Sequence, residues 1–132
     1  MFSYVCIGTN DVARARAFWD AVLAPLGIPR VAGYNDATSS AWGSTDPGPH
    51  LWVTEPFDGK TASVGNGAMV SFLARDRASV DAFHAAGLAH GGRDEGAPGL
   101  RPRYGPGFYA GYLRDPDGNK LNAVVYEEPG PT

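Results

Sequence analysis

Apolar residues recur at helical spacing twice in this chain, and each time a short strand-like run precedes them. "SYVCIG" is rich in aromatic and β-branched residues and predicts a strand. The following "TNDVARARAFWDAVLAPLG" places Val12, Ala15, Phe18, Trp19, Val22, Leu23 and Leu26 on one helical face. Asn10 or Asp11 can cap this helix, and Pro25 and Gly27 end it. Residues 28–64 are rich in Gly and Pro, with short strand candidates at Ala41–Trp42 and Leu51–Thr54. After the turn-rich "EPFDGKTASVGNG" the pattern returns. "AMVSFLA" predicts a strand, and "RDRASVDAFHAAGLAHGG" a helix capped by Asp76 and closed by Gly91 and Gly92. "GFYAGYLR" and "KLNAVVY" predict two strands joined by the turn "DPDGN".

An offset of 65 residues aligns the two halves. Val5 then matches Val70, Asp11 matches Asp76, Phe18 matches Phe83, Leu23 matches Leu88 and Gly27 matches Gly92, with four alanines between. This is an internal repeat of strand, helix and several short strands. Neither half can bury its sheet face alone, so the two are expected to pack as one domain over residues 1–132. Module 1 covers about residues 1–60 and module 2 about 66–128.

Composition narrows the function classes. The chain has 132 residues, 43% hydrophobic, with a net charge of −3. Its Lys and Arg residues are scattered, which speaks against nucleic acid. No apolar run approaches the ~18 residues that cross a bilayer. The N-terminus has no basic segment followed by an apolar one, so the expected location is the cytoplasm. The single cysteine, Cys6, forms no intramolecular disulfide. In its apolar run it reads as a small buried hydrophobe, a nucleophile being the alternative.

"DPDGN" lacks the further acids of a Ca²⁺ loop and reads as a hairpin turn. His84 and His90, six apart on the second helix, do not share a face and read as surface residues. Glu95–Tyr109 is the longest irregular stretch of the second module. Its Arg101 and Arg103 could meet an anionic substrate group or could be solvated loop charges.

The two helical segments, and above all "YLRDPDGNKLNAV", resemble the glyoxalase, bleomycin-resistance and extradiol-dioxygenase superfamily, the vicinal oxygen chelate proteins. The resemblance covers nearly the whole chain. It implies an α+β fold of two pseudo-symmetric βαβββ modules whose sheets curl around a central cavity, commonly as a homodimer. It also implies a divalent metal, held by His on the first strand of a module and Glu on the last. Carried over residue by residue, those positions fall on Tyr4 and Met69, and on Trp52 and Asn122. Phenol, thioether, indole and carboxamide make a poor divalent-metal set, so neither metal nor other cofactor is expected.

Strand alternation assigns the two faces. Val5, Ile7, Val70, Phe72, Leu121, Ala123 and Val125 should pack on the helices. Tyr4, Cys6, Gly8, Met69, Ser71, Asn122, Val124 and Tyr126 should face the cavity, with His50, Trp52 and Thr54 sharing a face of their strand. Such an aromatic, apolar lining is that of a small-molecule pocket or of a collapsed core. The expected substrate-binding set is Tyr4, Cys6, His50, Trp52, Met69, Asn122, Arg101 and Arg103, with Tyr4 and His50 as the catalytic candidates. The function expected is binding of a small aromatic or polar organic molecule. The alternative is a lactoylglutathione-lyase-like or dioxygenase-like enzyme acting on a vicinal-oxygen substrate.

Overall fold

The computed structural model describes residues 1–127; the expected module end at 128 lies just outside them. The order of elements is β1 (Tyr4–Gly8), α1 (Val12–Leu23), β2 (Ser39–Gly43), β3 (His50–Thr54), β4 (Val70–Leu73), α2 (Arg77–Ala89), β5 (Arg93–Leu100), β6 (Phe108–Arg114) and β7 (Lys120–Tyr126). Each helix begins where the sequence places a cap. Asp11 accepts from the Arg14 backbone N–H, and Asp76 from the backbone N–H and hydroxyl of Ser79. Three short strands form one sheet in the order β1-β3-β2, and four form the other in the order β4-β7-β6-β5. In each sheet the first strand runs parallel to the last, Val5 opposite Leu51 and Val70 opposite Leu121. Both sheets are open, with no closed barrel.

The first module is one strand short of the second. A single bridge, Arg30 to Trp42, stands where the fourth strand would run. Its hydrogen bonds start a ladder, Val31 N–H to Ala41 O and Gly43 N–H to Pro29 O. Pro29 has no N–H to extend it, and Gly33 turns the chain away at φ +89°.

One face of each sheet packs on the helices. Phe18, Trp19, Val22 and Leu23 of α1 meet Val80 and Phe83 of α2 in a single core, which Leu51, Val53, Leu121, Ala123 and Val125 complete from the strands. Trp19 is fully buried and reaches both sheets, with Trp42 at 6.4 Å and Phe72 at 5.9 Å between ring centres. Val5 departs from the expected packing and is exposed. β1 is an edge strand, and clefts open on either side of Val5.

Residues 95–100 are not loop, as their composition suggests, but most of β5. Gly96, Pro98 and Gly99 sit on an edge strand whose pairing with β6 slips twice. An edge tolerates proline and bulges because only one side of it must be hydrogen-bonded.

The "DPDGN" turn ties the two ends of the chain together. Asp115 accepts from the backbone N–H groups of Asp117 and Asn119, which closes the turn. Asp117 then reaches across to the first module. It accepts from the Thr9 hydroxyl at 2.5 Å, the Asn10 backbone N–H at 2.9 Å and the Arg14 guanidinium at 2.8 Å. Asn119 donates to the carbonyl of Gly8 at 2.9 Å. The turn is a staple between β1, α1 and the β6–β7 hairpin. Burial pushes the Asp115 carboxyl above its ordinary value, despite the hydrogen bonds from Asn119 and Asp117 that pull the other way.

Candidate functional site

The faces turned away from the helices hold most of the residues singled out in the sequence. Register places Tyr4 opposite His50, Cys6 opposite Trp52 and Gly8 opposite Thr54. The Tyr4 and His50 rings stack at 5.4 Å and 7°. Tyr34, from the loop before β2, stacks on Trp52 at 5.3 Å and 9° and meets His50 edge-on. No local pattern marks Tyr34, because its place depends on a loop folding back over the sheet. The flat face of Trp52 that a ligand could have used is therefore covered by Tyr34. Trp42 lies in the helix-facing core, its indole N–H donating to Asp20.

His50 is held tightly. Its Nδ1 lies 2.9 Å from the Ser44 carbonyl, which can only accept, so Nδ1 carries the proton and Nε2 is the lone-pair nitrogen of the neutral ring. Asp46 stands 4.0 Å from Nε2. The side chain is only 1% exposed, so a substrate cannot touch Nε2 without displacing its neighbours.

Cys6 is open to solvent at the mouth of a cleft, which corrects its reading as a buried hydrophobe. Desolvation nonetheless pushes its thiol above the ordinary cysteine value, leaving less thiolate at neutral pH. Alkylation of Cys6 by iodoacetamide at pH 8 should run slower than that of a cysteine in an unstructured peptide. A faster reaction would mark an activated thiol and restore the nucleophile reading.

Three clefts flank β1. One of about 720 Å³ is bordered by Cys6, Gly8, Thr38, Thr54 and Phe57. A second, about 510 Å³ and mainly apolar, opens between Tyr4, His50, Phe72 and Leu73. A third, about 200 Å³, joins Cys6 to Met69 and Lys120. The structure thus brings Tyr4, His50, Cys6 and Met69 to clefts along one strand.

The remaining candidates lie on the second sheet or beside it. Asn122 sits between Ser71 and Tyr112 in register, 1% exposed, and its Oδ1 has no hydrogen-bond partner among the described residues. Arg101 lies over the Tyr112 ring at 5.4 Å. Arg103 instead stacks on Tyr104 at 4.7 Å, so the fold separates the two arginines. His84 is not a surface residue: it is buried, with Nε2 2.9 Å from Asp94. Asp94 lies on β5, the strand that composition concealed. His90 is exposed, as read.

The two strand pairings also settle which residues are equivalent. Cys6 pairs with Trp52 as Ser71 pairs with Asn122, so Trp52 occupies in the first module the place of Asn122 in the second. Tyr4, Trp52, Met69 and Asn122 are the residues onto which the resemblance carries the metal ligands. Their donors do not fit a divalent cation: Asn122 and Tyr4 are weak oxygen ligands when neutral, and indole offers no lone pair. No three His, Cys, Asp or Glu side chains converge among the described residues.

Two open α+β sheets, each with its first strand parallel to its last and one helix behind it, define the paired-module class of fold. The chain belongs to the Glyoxalase/Bleomycin resistance protein/Dioxygenase superfamily, whose family profile matches residues 2–123. A crystal structure of a glyoxalase/bleomycin resistance protein from Albidiferax ferrireducens T118 is 41% identical, with 98% of this chain and 99% of that chain covered and a TM-score of 0.83. A glyoxalase/bleomycin resistance protein/dioxygenase family enzyme from Burkholderia phytofirmans PsJN shares the fold at 18% identity and TM-score 0.72, covering 95% and 98% of the two chains. Lactoylglutathione lyase from Agrobacterium tumefaciens shares it at 21% identity and TM-score 0.65, covering 95% and 92%. No curated protein matches.

Proposed function

We propose that this protein binds a small, flat organic molecule in the clefts along β1, without a divalent metal at the family's position. The reading is supported by the open, largely apolar clefts that Tyr4 and Met69 border, together with the fall of all four expected ligand positions on Tyr4, Trp52, Met69 and Asn122. Clefts of this size and lining suit drug-sized or smaller ligands. A thermal-shift screen of aromatic drugs and metabolites, run beside a glyoxalase assay with added metals, tests it. Stabilisation by aromatic compounds without turnover supports binding. Stoichiometric Zn, Ni or Fe retained after dialysis of untagged protein would overturn the metal-free reading.

His50→Ala removes the ring on which Tyr4 stacks. It should weaken binding about three- to tenfold, the worth of one aromatic contact. Proton transfer by His50 is the second reading, favoured by its fixed tautomer and opposed by its burial. Turnover that vanishes in the same variant would decide for it.

The proposal extends to assembly. Leu73 is 70% exposed, Tyr126 64% and Tyr4 56%, all on faces turned away from the core. A second copy in a C₂ homodimer would cover them. Light scattering should give twice the 13.9 kDa chain mass. No helix among the described residues is long and apolar enough to cross a membrane. The cytoplasm remains the proposed location.

A further inference from the structure

One indole on the open face of the first sheet is covered by a side chain of the protein's own. Of the three tryptophans, Trp19 and Trp42 are buried in the core, whereas Trp52 lies between the core residues Leu51 and Val53 and faces the other way. Tyr34 lies flat on it, and the His50 ring stands edge-on to both. Two stacked rings with a third across their edges is the arrangement a flat ligand adopts in an aromatic pocket. Here the guest ring belongs to the chain.

This seat adjoins open space. Cys6 lies opposite Trp52 across the β1–β3 pair, and Thr54 follows two residues along the same face. Both border the cleft of about 720 Å³, whose wall includes Thr38 from the loop that carries Tyr34. The loop is tied down on either side of Tyr34. The Val31 N–H donates to the Ala41 carbonyl, and the Asp36 carboxylate accepts from the backbone of Thr38 and Ser39. The Tyr34 ring itself has one polar tie besides its aromatic contacts: its hydroxyl accepts from the Asp46 backbone N–H at 2.9 Å, and Asp46 is exposed. Water can replace that hydrogen bond, and another flat ring can replace the stack. Rotation about the Cα–Cβ bond carries the ring off Trp52 while the backbone stays in place.

We propose that Tyr34 is a built-in competitor at the site: it fills the aromatic seat on Trp52 and swings out when a flat ligand takes its place. This rests on the small-molecule binding reading and adds how that site selects its ligand. A molecule must stack on Trp52 better than a phenol does, so fused aromatic rings are favoured over single ones. The apparent affinity is lowered by the fraction of molecules whose seat is free.

Calorimetric titration of the full chain with 2-naphthol tests it. Tyr34→Ala should bind about fivefold more tightly than the unaltered protein, which corresponds to a free seat in about one fifth of the molecules. Tyr34→Phe keeps the ring and loses only the tie to Asp46, and should gain about twofold; it reports even if the alanine loosens the loop. In Tyr34→Ala/Trp52→Leu the gain should vanish, because the seat itself is gone. Acrylamide quenching of tryptophan fluorescence gives a measure without ligand. It should rise in Tyr34→Ala and not in the double variant, since Trp19 and Trp42 are buried. Circular dichroism checks that each variant is folded. Binding by Tyr34→Ala no tighter than by the unaltered protein would overturn the inference, making Tyr34 a wall of the site, and would leave the binding reading intact. Binding by neither at millimolar concentration would overturn both.

Discussion

Asp117→Ala should lower stability by about 3 kcal/mol, equivalent to a fall of roughly 10 °C in Tm for a domain of this size. The Asp117 side chain is 3% exposed and accepts from three donors on the other module. Truncation leaves the Thr9 hydroxyl, the Asn10 amide and the Arg14 guanidinium without their acceptor. Thr9 is itself fully buried, so water does not simply take over. Asp117→Asn keeps the shape and removes the charge that answers Arg14, and should cost about half as much. Thermal melting followed by circular dichroism measures both. A loss below about 1 kcal/mol for the alanine variant would show that the staple is solvated in practice and does not join the modules.

Trp19→Ala should cost about 4 kcal/mol, because it empties the place where the two sheets meet behind the helices. The indole packs edge-on against Phe18 at 5.5 Å, besides its contacts with Trp42 and Phe72. The conservative variant separates volume from polarity. The Trp19 indole N–H is buried without an acceptor among the described residues. Trp19→Phe removes that unpaired donor together with part of the ring. Its loss should stay below about 1.5 kcal/mol, since relief of the desolvated N–H offsets the smaller volume. Urea denaturation gives both values. A phenylalanine variant as unstable as the alanine one would mean that volume alone decides at this position.

Features written in neighbouring residues were legible in the sequence. Asp11 and Asp76 cap their helices, and Phe18 and Phe83 are both fully buried, as a repeat at 65 residues requires. Alternation put Leu121, Ala123 and Val125 on the helix side correctly, because the period of a strand fixes its faces once one is known. Edges were harder. Ser39, Ser40 and Gly43 carry little strand propensity, so β2 was visible only at Ala41–Trp42. β5 was hidden by Gly96, Pro98 and Gly99, which an edge accommodates. The site was legible as a list of strand positions but not as an arrangement. The stacking of Tyr34 on Trp52, the contact of His84 with Asp94 and the approach of Arg101 and Lys120 to Tyr112 join residues of different elements. No local pattern encodes such pairings.

The staple joins positions more than a hundred residues apart, Gly8–Arg14 at one end of the chain and Asp117–Asn119 at the other. Strand ends and hairpin tips ordinarily fray independently and exchange their amide protons at different rates. Here the Asn10 amide cannot release its proton to water without letting go of Asp117, and Asp117 holds the hairpin tip in turn. The amides of Asn10, Asp117 and Asn119 should therefore exchange as one cooperative unit, slowly and with a shared opening free energy, although all three lie in turns.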